Sequence, residues 1–225
     1  RNHGLKAASR ARTHGRYGKD IVFIELLSRD PARFVAWVTI VAFSVCVHET
    51  VHAWMAFHQG DDTAVRLGYG AMDPRRLMGW PSLIALVLFG IAWGAVPVNP
   101  SRLRRRWSEA AVSLSGPFSN LALACLFALG AVAVARLAPQ ATPLSLVLVS
   151  GLEANCILAL LNLLPVPPFD GWAAVTLLVP PARRLAPDQV NVVSWVLIAL
   201  VLFTPASGLL WSWSDRLAQT IAAAA

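Results

Sequence analysis

The sequence predicts an all-α polytopic membrane protein with about four to six transmembrane helices and a re-entrant or hairpin segment between the first two long spans. Three observations predict it. Hydrophobic residues make up 56% of the 225 and charged residues only 14%, where an ordinary soluble domain carries about 25% charged residues. Apolar stretches of the roughly 20 residues needed to cross a bilayer recur along the chain. The basic residues fall in short clusters between those stretches: Arg1 to Lys19, Arg29 and Arg33, Arg75-Arg76, Arg102 to Arg106, and Arg183-Arg184. Loops that meet anionic headgroups and fix topology look like this.

The same clustering explains the net charge of +7. No basic stretch is interleaved with aromatics for base stacking, so the pattern argues against nucleic acid and for a lipid bilayer as partner. Cys46, Cys125 and Cys156 all lie inside apolar runs without CxxC spacing. They read as small buried hydrophobes rather than a disulfide framework.

Residues 1–20 form a basic, flexible tail, and one domain follows over 21–225. Ile21 to Leu27 is apolar but too short to span. Residues 33–58 are the first full span. Gly60 to Pro81 is a polar connection in which TAVRLGYGAM suggests a short β-hairpin. Residues 82–98 are apolar but short and interrupted by Gly90, Gly94 and Pro97. This is the expected re-entrant segment, because irregular backbone is tolerated at depth when protein covers it. Further spans are expected at 107–137, 143–164 and 190–213, with a short apolar piece ending near Val179.

The first span carries His48-Glu49-Thr50-Val51-His52. Residues four apart share one helix face, so both imidazoles can reach one metal ion. The glutamate between them can then take a proton from water at that ion. Shuffled chains of this composition would contain HExxH only about 0.2% of the time. A carboxylate within a span costs roughly 2.5–3.5 kcal/mol and so usually has a functional partner. The bland alternative is a polar contact between helices. A catalytic zinc commonly takes three protein ligands and keeps one position open. Asp170, after a proline-rich break, is the leading third candidate, although it could equally cap the short helix starting near Gly171.

Taken together, HETVH on an apolar helix, GPFSN on a later one and NLLPVPPFDG closing another resemble the site-2 protease family of intramembrane metalloproteases. GDDTA at Gly60 to Ala64 and VPVNP at Val96 to Pro100 resemble its short bacterial form. The resemblance runs over about residues 21–180. It implies a helical membrane core in the bacterial cytoplasmic membrane, zinc held by His48, His52 and Asp170, and Glu49 as general base. It also implies substrate contacts from Asn162 and Pro165, and transmembrane proteins as substrates. Asn120 of GPFSN is expected to brace the site or a substrate backbone, with close packing at Gly116-Pro117 as the alternative.

The chain departs from the family pattern in places. Ala95-Val96 stand where a lysine usually precedes the Val-Pro-Val-Asn run, no His-x-Asp-Pro element is recognisable near Leu77 to Pro81, and Phe169 replaces leucine before Asp170. None of these removes a ligand or the base. Among the other polar residues, His58 lies about 240° round the helix from His52 and cannot share the metal face. Glu153 and Asn155 read as hydrogen-bonding groups within their span, with substrate gating as the alternative. Asp61 and Asp62 read as solvated loop charges. A scaffold of the same fold without turnover, or a metal transporter, are the rivals; the transporter lacks the paired internal repeats many transporters show.

Overall fold

The computed structural model describes residues 23–179, the single positions 192, 194 and 196, and residues 206–224. The expected tail, the Arg183-Arg184 cluster and most of the expected span at 190–213 lie outside the described residues. Six helices of at least eight residues organise the rest, and no strand occurs among the described residues. They are α1 (Pro31–His58), α2 (Gly79–Phe89), α3 (Ser108–Leu137), α4 (Thr142–Asn162), α5 (Gly171–Leu178) and α6 (Ala206–Ala224). Three of these, α1, α3 and α4, are long and apolar enough to cross a membrane.

Helix α1 starts where Asp30 accepts a hydrogen bond from the Arg33 amide and Pro31 occupies the first turn, both ordinary start signals. At its far end it meets the start of α3. The Arg104 amide donates to the Gln59 carbonyl, and the Ser108 hydroxyl donates to the Gln59 side chain. The two helices therefore leave the same end of the bundle antiparallel, and α4 returns along both. Small residues line the contacts. Ala124, Ala128 and Ala159 are fully buried, and Gly151 lies against the Phe127 ring so closely that a Cβ would sit 2.5 Å from it. Without a hydrophobic drive between helices in lipid, this close approach supplies the packing. A second cluster joins Ile40, Val41 and Val45 of α1 to Leu77 and Leu86.

The connection between α1 and α3 differs from the sequence expectation. TAVRLGYGAM forms no hairpin: Thr63–Arg66 is one helical turn, followed by turns in which Gly68 adopts φ +85°. The excursion comes later. Helix α2 has 11 residues, about 16 Å, too short to cross. It ends on Gly90 in the left-handed region, and residues 91–99 follow without regular secondary structure, reaching Asn99 in an extended conformation. Ser82 of α2 clasps the returning segment, donating to the Trp93 carbonyl while accepting from the Trp93 amide.

The far end of that segment is held by Asp61, and here the reading as a solvated charge is wrong. Asp61 is fully buried. It accepts from the Asn99 amide at 2.6 Å and from both the amide and the hydroxyl of Thr63. Burial pushes its carboxyl up, but these hydrogen bonds and nearby Arg102 outweigh that and hold it below the usual carboxylate range. Asp62 does face solvent, paired with Arg66 and Arg102. Cys125 is exposed on the outer face of α3, unlike buried Cys46 and Cys156, and all three are free thiols.

Candidate active site

Six to ten residues before the end of α1, His52, Glu49 and His48 face the bundle interior, each under 8% exposed. At about 1.5 Å per residue they lie about 9–15 Å from that end. Gly116 is eight residues into α3 from the same end, at matching depth. A Cβ there would lie 2.4 Å from His52 Nε2 and 2.5 Å from His48 Nε2. Close packing at GPFSN is therefore what lets both rings fit, and Pro117 beside it is buried within α3.

Asp170 arrives from the opposite side. The irregular loop 163–170 leaves the end of α4, and Gly171 closes it. A Cβ on Gly171 would stand 2.5 Å from the carbonyl oxygens of Leu163 and Leu164, so only glycine allows this return. Asp170 occupies the cap position of α5 yet makes no side-chain cap hydrogen bond. Its Oδ2 instead lies 3.0 Å from His48 Nε2 and 3.4 Å from His52 Nε2. The ligand atoms of the three residues all lie within 4.8 Å of one another.

Whether a metal fits can be judged from the donor set. His52 Nδ1 is 2.8 Å from the Val112 carbonyl, which can only accept, so Nδ1 carries the proton and Nε2 presents a lone pair. That lone pair faces a carboxylate, an arrangement that calls for a cation. Tetrahedral zinc with ligands at about 2.0–2.2 Å separates neighbouring ligand atoms by about 3.3–3.6 Å, and the two contacts to Asp170 bracket the lower value. Two imidazoles and one carboxylate, with a side left open, match a catalytic zinc.

Glu49 stands apart from the ligands. Its side chain lies over Gly94 of the 91–99 segment, where a Cβ would come within 2.4 Å of Cγ and 2.6 Å of Oε1. No hydrogen-bond donor among the described residues engages its carboxylate. The amides of that segment alternate between bonded and free of any partner among the described residues. The amides of Trp93, Ala95 and Asn99 bond inward to Ser82, the Leu77 carbonyl and Asp61. Position 97 is proline, and the amides of Gly94, Val96 and Val98 have no partner among the described residues.

Asn120 is fully buried, with Oδ1 2.6 Å from His48 Nδ1 and Nδ2 donating to Asn155. Asn162 is the last residue of α4 and donates to the Leu158 carbonyl. Pro165 is exposed on the loop that delivers Asp170. His58 is exposed at the end of α1, beside the Phe57 ring and away from the cluster. The residues missed by sequence reasoning are Gly94, the Val112 carbonyl and Ser44. Only Gly94 left a trace, as an interruption in an apolar run.

No family model matches the chain, and no solved structure does. Among curated proteins, the chain is 33% identical over 180 residues to "Putative zinc metalloprotease YwhC" of Bacillus subtilis, covering 76% of this chain and 81% of that protein. It is 41% identical over 160 residues to "Putative zinc metalloprotease Rip2" of Mycobacterium tuberculosis, covering 65% of this chain and 59% of that protein. The Rip2 of Mycolicibacterium smegmatis is 32% identical over 171 residues, covering 72% of this chain and 64% of that protein. The chain thus spans about three-fifths of the Rip2 proteins and four-fifths of YwhC. With that extent of shared sequence, the chain belongs to the site-2 protease family of zinc metalloproteases, and zinc is its cofactor.

Proposed function

We propose that this protein is a zinc-dependent endopeptidase, multi-pass in the bacterial cytoplasmic membrane, that hydrolyses peptide bonds in or beside the transmembrane segments of other membrane proteins. The observation that carries the proposal is a buried, uncommitted carboxylate, Glu49, next to a three-ligand cluster and a segment, residues 94–98, whose Gly94, Val96 and Val98 amides have no partner among the described residues. His48, His52 and Asp170 are the metal ligands. Zinc, when bound, supplies Lewis acidity that brings the pKa of water at its open position to about 7 and polarises a carbonyl. Glu49 accepts the proton of the attacking water and passes it to the leaving amine.

A transmembrane helix hides its carbonyls in its own hydrogen bonds, so a substrate must unwind before attack. The amides of Gly94, Val96 and Val98 offer an unwound segment a partner by strand addition. Asn162, at the end of α4, and Pro165, exposed on the loop that delivers Asp170, contact the same substrate segment. The excursion over residues 79–99 enters the bilayer and returns to the same side. Asn120 serves the reaction by orienting His48.

The test uses Glu49→Gln, which keeps shape but cannot accept a proton. Assayed on a single-span substrate in liposomes, it is expected to retain zinc and lose cleavage by about 100-fold or more. Turnover near the wild-type rate would refute Glu49 as the base, and absence of cleavage by the zinc-loaded wild type would favour a scaffold whose metal has another use.

A further inference from the structure

We propose that Asn155, on helix α4, is a positioning residue for the metal centre: acting through Asn120, it decides which nitrogen of His48 carries the proton. The proposal rests on His48 being a zinc ligand. For His52 the matter is settled directly by a main-chain carbonyl, which accepts from Nδ1. His48 has no such neighbour. Its Nδ1 faces the side-chain amide of Asn120, and an amide can present either its oxygen or its nitrogen.

The ambiguity is resolved one residue further away. Asn155 Nδ2 lies 2.8 Å from the Gly151 carbonyl and 2.9 Å from Ser44 Oγ. A carbonyl only accepts, so the nitrogen of Asn155 must point there and its oxygen must point to Asn120. At 2.9 Å that oxygen requires the Asn120 nitrogen, which turns the Asn120 oxygen towards His48. An acceptor 2.6 Å from Nδ1 holds the proton on that nitrogen and leaves Nε2 free to bind metal. Ser44, Asn120 and Asn155 are each fully buried, so water does not break the series, and any reversed amide would set like groups against each other. The Gly151 carbonyl on α4 thus plays for His48, through two amides, the part the Val112 carbonyl plays for His52. The chain crosses three helices, so the tautomer is coupled to the docking of α4 on α1 and α3.

The experiment compares wild type, Asn155→Leu, Asn120→Leu, the double variant and His48→Ala, all as purified full chains. Zinc affinity is measured by chelator competition, and the imidazole nitrogens of the zinc-free protein by 15N NMR after histidine labelling. Asn155→Leu is expected to weaken zinc binding by about 10–100-fold and to give His48 a mixture of tautomers. In the Asn120→Leu background it should add no further loss. Wild-type affinity with a single His48 tautomer in Asn155→Leu would overturn the proposal. So would additive losses in the double variant, since a packing role needs no Asn120. Asn155→Ala carries the same readouts should the leucine variant not fold. Unchanged zinc in His48→Ala would refute the ligand assignment itself. Lost zinc there beside unchanged binding in the Asn155 variants would refute only the relay.

Discussion

Gly116→Ala puts a single methyl group where the two imidazoles converge. The added Cβ would lie 2.4 Å from His52 Nε2 and 2.5 Å from His48 Nε2. Carbon and nitrogen do not approach closer than about 3.0 Å, so the rings or the helices must separate by at least about half an ångström. Metal ligands tolerate about 0.2 Å. A single change outside the ligand set costs about 10–100-fold in affinity, and here both histidines are displaced, so zinc binding should fall by about 100-fold or more. The fold should survive. Overpacking costs about 1–3 kcal/mol, and replacing a mid-helix glycine by alanine returns about 1 kcal/mol. Chelator competition for zinc, beside thermal unfolding of the metal-free protein, separates the two effects. A folded Gly116→Ala protein with wild-type zinc affinity would show that those two nitrogens do not hold the metal.

Three further outcomes follow from other contacts. Gly94→Ala presses on Glu49 instead of the ligands, so it should keep zinc and lose about 100-fold in peptide cleavage, as for a catalytic group misplaced by about 1 Å; zinc loss would contradict the separation of base from ligands. Asp61→Asn should lower stability by about 1–3 kcal/mol, because the Asn99 amide loses a charged acceptor in a buried site. Since the folded carboxyl is held below its ordinary value of about 3.9, its contribution is fully present above that pH and fades as pH falls through the lower folded value. The gap between wild type and Asp61→Asn should therefore be constant at neutral pH and narrow below about pH 4; a gap that widens with acid would reverse the sign. Cysteines placed at Arg76 and Arg104, in a background lacking Cys46, Cys125 and Cys156, should resist an impermeant thiol reagent in intact cells, as the positive-inside tendency predicts for the basic end of the bundle. Labelling of both from outside would invert the topology.

The sequence made the three apolar helices α1, α3 and α4 and the shared face of His48 and His52 legible because both are local. Bilayer thickness sets the length of an apolar run, and helical pitch puts His48 and His52 on one face. Asp170 was readable only as one of two possibilities, a cap or a ligand, since the choice depends on a loop closure that Gly171 makes possible from across the chain. Asp61 misled for a related reason. A charge in a Gly-Asp-Asp-Thr loop is ordinarily solvated, and nothing local announces that the Asn99 amide, 38 residues later, will cover it. Asn155 was recognisable as a hydrogen-bonding group, but its partners Ser44 and Asn120 lie on other helices. Gly94 and Gly116 show the same limit, because a glycine's local sequence does not say which side chain will occupy the space it leaves.

The open edge of residues 94–98 also bears on how products leave. It offers three amides, and each net hydrogen bond contributes about 0.5–1.5 kcal/mol, so a paired segment gains roughly 2–5 kcal/mol from the main chain. Pro97 takes nothing away, because its missing N–H falls on the inward register. Cleavage beside Glu49 divides that ladder between two fragments, and neither retains all three bonds. With about 1.4 kcal/mol equal to tenfold in affinity, each lost bond speeds departure by up to about tenfold. On the proposed function, an edge this short would grip an intact chain and let its halves go, so that the act of cutting would itself be the signal for release.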